Sequence, residues 1–145
     1  MLLKKHKEHD VSQKDDFKKL AFDFVSGLGS REVILMEGPL GIGKSEWVRC
    51  CLKALGHEKE VSSPSFAIHH VYQVKGRVVD HIDLYRVKKE GELESIDFFD
   101  LFLRNKGLIF IEWADRLSVD LLPKDWSYTY LTFRWINSNR IIRIS

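Results

Sequence analysis

Apolar residues recur along this chain with two different periods. Phe17, Leu20, Ala21, Phe24, Val25 and Leu28 fall at i, i+3, i+4, i+7, i+8 and i+11, a single stripe on one helix face. Ser12 can cap that helix, Asp15 and Asp16 suit the positive end of its dipole, and Gly29 suits its stop. Residues 33–36, VILM, form a short continuous apolar run, as expected of a strand buried on both faces. Residues 44–55 return to the helical period, burying Trp47, Val48, Cys51, Leu52 and Leu55, with Gly56 at the end. Residues 66–74 and 78–84 are rich in β-branched and aromatic side chains, and Lys75-Gly76 between them predicts a hairpin. Residues 91–102 predict a short acidic helix with Leu93, Ile96, Phe99 and Leu101 inward. LIFI at 108–111 predicts a second buried strand. Residues 128–135 alternate, with Leu131, Phe133 and Trp135 on one face, and the turn Asn137-Ser138-Asn139 leads into a last strand at 140–144.

Helices and apolar strands in this order make one α/β domain over 1–145 with a central mixed, partly parallel sheet and a C-terminal hairpin. Residues 1–10 read as a flexible tail, and the lysines at 4, 5, 7, 14, 18 and 19 as a solvated face. Composition narrows the class further. Apolar residues are 44% of the chain and charged residues 30%, as in soluble globular proteins, and the net charge of +2 does not mark a nucleic-acid binder. No apolar run reaches the length of a membrane span, and the start MLLKKHKEHD has no signal-peptide core, so the expected compartment is the cytoplasm, without membrane contact. Cys50 and Cys51 are adjacent and read as thiols rather than as a disulfide or metal framework. His69 and His70 point to opposite faces of a strand and cannot share one metal. Trp126, Trp135, Phe98 and Phe102 are expected as core or interface groups.

The chemistry concentrates in EGPLGIGKSEW, directly after VILM. Gly38, four residues, and Gly43-Lys44-Ser45 satisfy G-x-x-x-x-G-K-[ST]. Glycines let successive N–H groups turn inward at a helix N-terminus and form an anion nest. Lys44 then reaches the β- and γ-phosphates, and the Ser45 hydroxyl ligates Mg²⁺. Such proteins usually supply a further acidic group at the end of a buried strand. Glu112 closes LIFIE and Asp83 closes VVDHID, with His81 on the same face as Asp83. One would hold the metal or its water shell and the other would orient the attacking water; the residues alone leave both assignments open. Ser62-Ser63-Pro64-Ser65-Phe66 offers hydroxyls in a turn that could sense the γ-phosphate.

GPLGIGKS, SPSF, HIDLYR and LIFIEW, with a downstream LLP, occur in the order and spacing of the TsaE family, which this chain resembles over nearly its whole length. TsaE is the small bacterial ATPase required for making threonylcarbamoyladenosine, the modified adenosine next to the anticodon in tRNA. The resemblance implies a P-loop NTPase-like three-layer fold, with ATP and Mg²⁺ as cofactors. Leu40, Gly41, Ile42, Gly43, Lys44 and Ser45, with Glu46 behind them, would wrap the phosphates. Ser45 and Glu112 would bind Mg²⁺, Asp83 would serve metal or water positioning, and Lys44, Asp83 and Glu112 would carry catalysis. SPSF would be a switch-like loop and Trp113 would sit beside the site. The adenine would lie between the start of the first helix, near Ser12, and the last hairpin, near Asn139.

The sequence departs from the family pattern at three positions. Ser45 and Ser65 stand for threonines, and Ile42 stands for a small residue, which implies a tighter or displaced loop. The implied partner is a transferase heterodimer of TsaD and TsaB type, two paralogous subunits with a sugar-kinase-like fold, with tRNA contacted only indirectly. Slow hydrolysis alone, stimulated by that partner, is the expected behaviour. Two other classes compete. A small nucleoside or small-molecule kinase needs an arginine-rich lid, where this chain offers Arg86 and Arg104. A nucleotide-locked interaction module without turnover would have little use for both Asp83 and Glu112.

Overall fold

The computed structural model describes residues 7–59 and 68–145. The expected switch turn 62–66 and Lys4 and Lys5 lie outside the described residues. Seven strands among the described residues form one sheet: β1 (Lys7–Asp10), β2 (Arg31–Glu37), β3 (His69–Val74), β4 (Arg77–Asp83), β5 (Gly107–Glu112), β6 (Ser127–Ile136) and β7 (Asn139–Ile144). Their spatial order is β1-β7-β6-β2-β5-β4-β3. The central strands β6, β2, β5 and β4 run parallel, while the hairpins β3–β4 and β6–β7 and the edge pair β1–β7 are antiparallel. The α/β class with a mixed sheet is therefore as the sequence predicts.

The apolar runs are buried on both faces because each side chains into a separate core. Ile34, Met36, Leu108 and Phe110 pack with helices α1 (Lys14–Ser26) and α2 (Lys44–Leu55) on one face. Val33, Leu35, Ile109 and Ile111 pack on the other with Leu93, Phe98, Leu101, Phe102 and Trp126. The helical side is centred on Trp47, fully buried, which meets Phe17 edge-on at 5.5 Å and Phe133 at 6.2 Å. Each such pair contributes about 0.5–1.5 kcal/mol beyond area burial. Both hairpins turn on two residues of positive φ, Lys75-Gly76 and Asn137-Ser138, the twist that two-residue hairpins favour. Asn139, expected in the second turn, is already the first residue of β7.

Several local expectations are corrected. Lys7–Asp10 is not a tail but an edge strand in register with Ile141–Ile144, and Arg134 ion-pairs with Glu8 across it. Its residues are polar, so no hydrophobic alternation marks them; the pairing is made by backbone groups that β7 offers. Ser12 does not cap α1, whose N-cap is Gln13 without a side-chain bond. The Ser12 hydroxyl instead donates to the Asp10 carboxylate at 2.6 Å and accepts the Arg140 backbone N–H at 2.9 Å. The first helix stops at Gly27, two residues before Gly29.

The acidic helix is two 3-10 segments, Glu90–Ile96 and Phe98–Leu103, parted at Asp97 with φ of 53°. Phe98 and Leu101 are three apart, and in 3-10 geometry such residues stack above each other and enter the core together. Leu93 and Leu101 are buried and Phe99 partly so. The Ile96 side chain lies outside the described residues. Trp126, Phe98 and Phe102 are core groups, whereas Trp135 is 54% exposed.

Candidate functional site

The parallel strands deliver the chemistry to one sheet edge. Met36 pairs with Glu112, and Glu112 pairs with Asp83, so both carboxylates lie beside the strand end that launches the loop. This is the carboxyl edge, where open α/β sheets place ligands. The loop 38–43 then runs into α2, whose first N–H groups have no acceptors within the helix.

Loop conformation follows from close contacts. A Cβ on Gly38 would stand 2.8 Å from both Cβ and O of Phe133 and 3.2 Å from Ile42 Cγ2. Gly43 has φ of 116°, and a Cβ there would stand 2.7 Å from Arg140 Nη1. Ile42 is fully buried and joins Trp47, Val48 and Phe133 in the helical-side core. Its side chain is sunk into that core and anchors the loop from behind rather than lying at the exposed rim with Leu40 and Gly41. Leu40, by contrast, is 69% exposed at the loop's outer edge.

Three side chains meet at the head of α2. The Ser45 hydroxyl lies 2.7 and 3.0 Å from the two Glu112 oxygens and donates to that carboxylate. The His81 Nε2–H donates to Glu112 Oε2 from the neighbouring strand. Glu112 and His81 are 3% and 1% exposed. Asp83 Oδ1 accepts the Tyr85 N–H at 2.9 Å. Burial pushes the Asp83 carboxyl above its ordinary value, and the negative Glu112 beside it adds to the rise. Lys44 is buried as well. Its ammonium donates to the carbonyls of Gly38 and Pro39 at 2.5 and 3.0 Å and stands 4.2 Å from the Trp113 ring centroid. Burial lowers its pKa, against the pull of Glu112, Asp83 and Asp115. Trp113 lies beside Lys44, with φ of 59°, its ring tilted against Tyr85 at 5.0 Å between centroids.

The donor set fits Mg²⁺. Hydroxyl and carboxylate oxygens are its ligands, and it takes one or two from a protein while waters and phosphates complete the shell.

Two of the named residues lie outside the Lys44–Ser45–Glu112 cluster. Glu46 reaches sideways, 3.9 Å from Arg140 Nη1. Asn139 is exposed and pairs with Ile136; alternation turns its side chain from the face that carries Arg140. Arg140 makes the contact between hairpin and loop, and sequence reading missed it. Its guanidinium donates to Ile42 O at 3.1 Å and Val11 O at 3.2 Å and lies 4.1 Å above the Phe17 ring. The available signal was its place in the last strand, one residue past the turn. His81 was visible only as a neighbour of Asp83; its bond to Glu112 crosses 31 residues.

A family model described as threonylcarbamoyl adenosine biosynthesis protein TsaE matches residues 11–142. The TsaE protein of Aquifex aeolicus is 34% identical over 113 residues, covering 76% of this chain and 78% of that protein. That of Rickettsia conorii is 30% identical over 116 residues, 79% of this chain and 65% of that protein. That of Haemophilus influenzae is 32% identical over 84 residues, 58% of this chain and 52% of that protein. The chain thus spans between half and two thirds of the last two relatives. The fold is similar to the crystal structure of Bacillus subtilis YdiB, with a TM-score of 0.73 at 20% identity, covering 99% of this chain and 87% of that one. A model match over nearly the whole chain, with relatives at this identity, shows that the chain belongs to the TsaE family of threonylcarbamoyl adenosine biosynthesis proteins.

Proposed function

We propose that the chain is a Mg²⁺-dependent ATPase that serves tRNA threonylcarbamoyladenosine formation in the cytoplasm by acting on a transferase heterodimer of TsaD and TsaB type. The observation that carries the enzymatic part is the hydrogen bond of half-buried Ser45 to buried Glu112 at the head of α2, with Asp83 in register beside it. The part in tRNA modification is supported by the family to which the chain belongs.

The free N–H groups at the start of α2 and in the loop bind the phosphates of ATP. The triphosphate competes with the Gly38 and Pro39 carbonyls for the Lys44 ammonium, a trade of two neutral acceptors for charged ones. Ser45 and Glu112 are the residues that would hold Mg²⁺, which when bound neutralises charge on the β- and γ-phosphate oxygens. Asp83, its pKa raised by burial and set in register beside Glu112, orients the attacking water.

The test is ATP hydrolysis by the chain alone and with the heterodimer. Slow turnover that rises with the heterodimer is expected. Phosphorylation of nucleosides, with no response to the heterodimer, would overturn the proposal in favour of a kinase.

A further inference from the structure

We propose that His81 is a positioning residue for Glu112: its Nε2–H holds the carboxylate where it faces Ser45 and, with it, a divalent cation. This rests on the reading of Ser45 and Glu112 as the metal-holding pair. His81 pairs in register with Phe110, and Glu112 lies two residues further along the same strand, so both side chains project from the α2 face of the sheet. A glutamate side chain is among the most costly to order in lost rotamer freedom. With Oε2 engaged by His81 and the Ser45 hydroxyl spanning both oxygens, that ordering is complete before any cation arrives.

A packing role alone does not account for this histidine. Val79, Leu108 and Phe110, which share its face, are all apolar and fully buried. His81 Nδ1 is buried with no hydrogen-bond partner among the described residues. An unpaired buried acceptor carries a desolvation cost that a leucine of similar size would avoid. What a leucine would lack is the donor to Glu112. Ligating carboxylates depend on such outer hydrogen bonds for their orientation.

The experiment titrates Mn²⁺, followed by its electron paramagnetic resonance signal, onto the full chain saturated with a non-hydrolysable ATP analogue. Wild type is compared with His81→Leu, His81→Gln and His81→Asn, and analogue affinity is measured separately without metal. The leucine variant should bind Mn²⁺ about ten- to a hundredfold more weakly, with metal-free analogue affinity unchanged. Glutamine, whose amide N–H reaches as far as Nε2, should recover most of the loss, and asparagine, which reaches only as far as Nδ1, should not. If the leucine variant does not fold, the glutamine–asparagine contrast decides alone. Wild-type Mn²⁺ affinity in the leucine or asparagine variant, or equal losses in glutamine and asparagine, would overturn the assignment of His81 while leaving the site intact. Failure of wild type itself to take up analogue and Mn²⁺ would instead remove the reading of the site on which it rests.

Discussion

Replacing Ile42 by alanine separates the two roles that the phosphate loop combines. The side chain is fully buried between Gly38 and the Trp47–Phe133 cluster, while the loop's backbone groups serve the other side. Ile42→Ala removes three buried carbons, about 2.4 kcal/mol at ~0.8 kcal/mol each. The cavity left beside rigid aromatic rings adds to that, for a total of about 3–4 kcal/mol, inside the range of such core truncations. For a chain of this size the midpoint of thermal unfolding should fall by roughly 6–16 °C. The transfer energy is read from urea unfolding of wild type and variant. Nucleotide affinity is then measured by titration calorimetry with a non-hydrolysable ATP analogue, at a temperature where the variant stays folded. Affinity per folded molecule should be unchanged, because Ile42 N and O keep their bonds to Pro39 and Arg140. A stability loss below about 1 kcal/mol would contradict the burial argument. A tenfold gain in affinity would show that isoleucine does crowd the phosphates after all.

Lys44→Ala should abolish analogue binding in the same calorimetric assay, and Glu112→Ala should cut steady-state hydrolysis about a hundredfold or more while binding persists; wild-type turnover in the second variant would refute the metal assignment. Arg104→Met strips two hydrogen bonds, at 2.6 and 3.1 Å, from the fully buried Asp80, leaving His69 at 2.7 Å. Breaking a buried pair costs about 3–5 kcal/mol, and the remaining His69 bond and the partial exposure of Arg104 reduce this to roughly 2–3 kcal/mol at pH 7. His69 and Arg104 together hold the Asp80 carboxyl below its ordinary 3.8 against the cost of burial, so this stabilisation is present above that pH and lost as pH falls through the lower folded value. In the variant only His69 opposes burial, so denaturant titrations across pH should show the gap between wild type and variant narrowing as pH falls through the range where Asp80 protonates; a constant gap would refute it. Arg140→Met removes the tie from β7 to Ile42 O and Val11 O, with an expected cost of about 2 kcal/mol for a partly exposed charged donor. Amide hydrogen exchange at 42–44 should accelerate ahead of the rest of the chain, and uniform acceleration would show that Arg140 acts on global stability alone.

What the amino-acid order determined by itself was local: the helical stripe from Phe17 to Val25, the doubly buried runs VILM and LIFI, the Lys75-Gly76 hairpin turn and the G-x-x-x-x-G-K-S loop. Each is legible because its signal repeats within a few residues or is demanded by backbone angles that few side chains allow. The acidic ends of LIFIE and VVDHID were legible as candidates for the same reason, as charges that closed apolar runs. Tertiary structure decided everything that depends on a partner far along the chain. Polar Lys7–Asp10 became a strand only because β7 offered its backbone, and Ser12 gave up its capping role to bond Asp10 and Arg140. Ile42, which read as an obstruction in the loop, is an anchor once the core behind it is known. The bonds of Ser45 and His81 to Glu112 span 67 and 31 residues. No periodicity records such bonds, since they are set by sheet register and by which faces the strands present to each other.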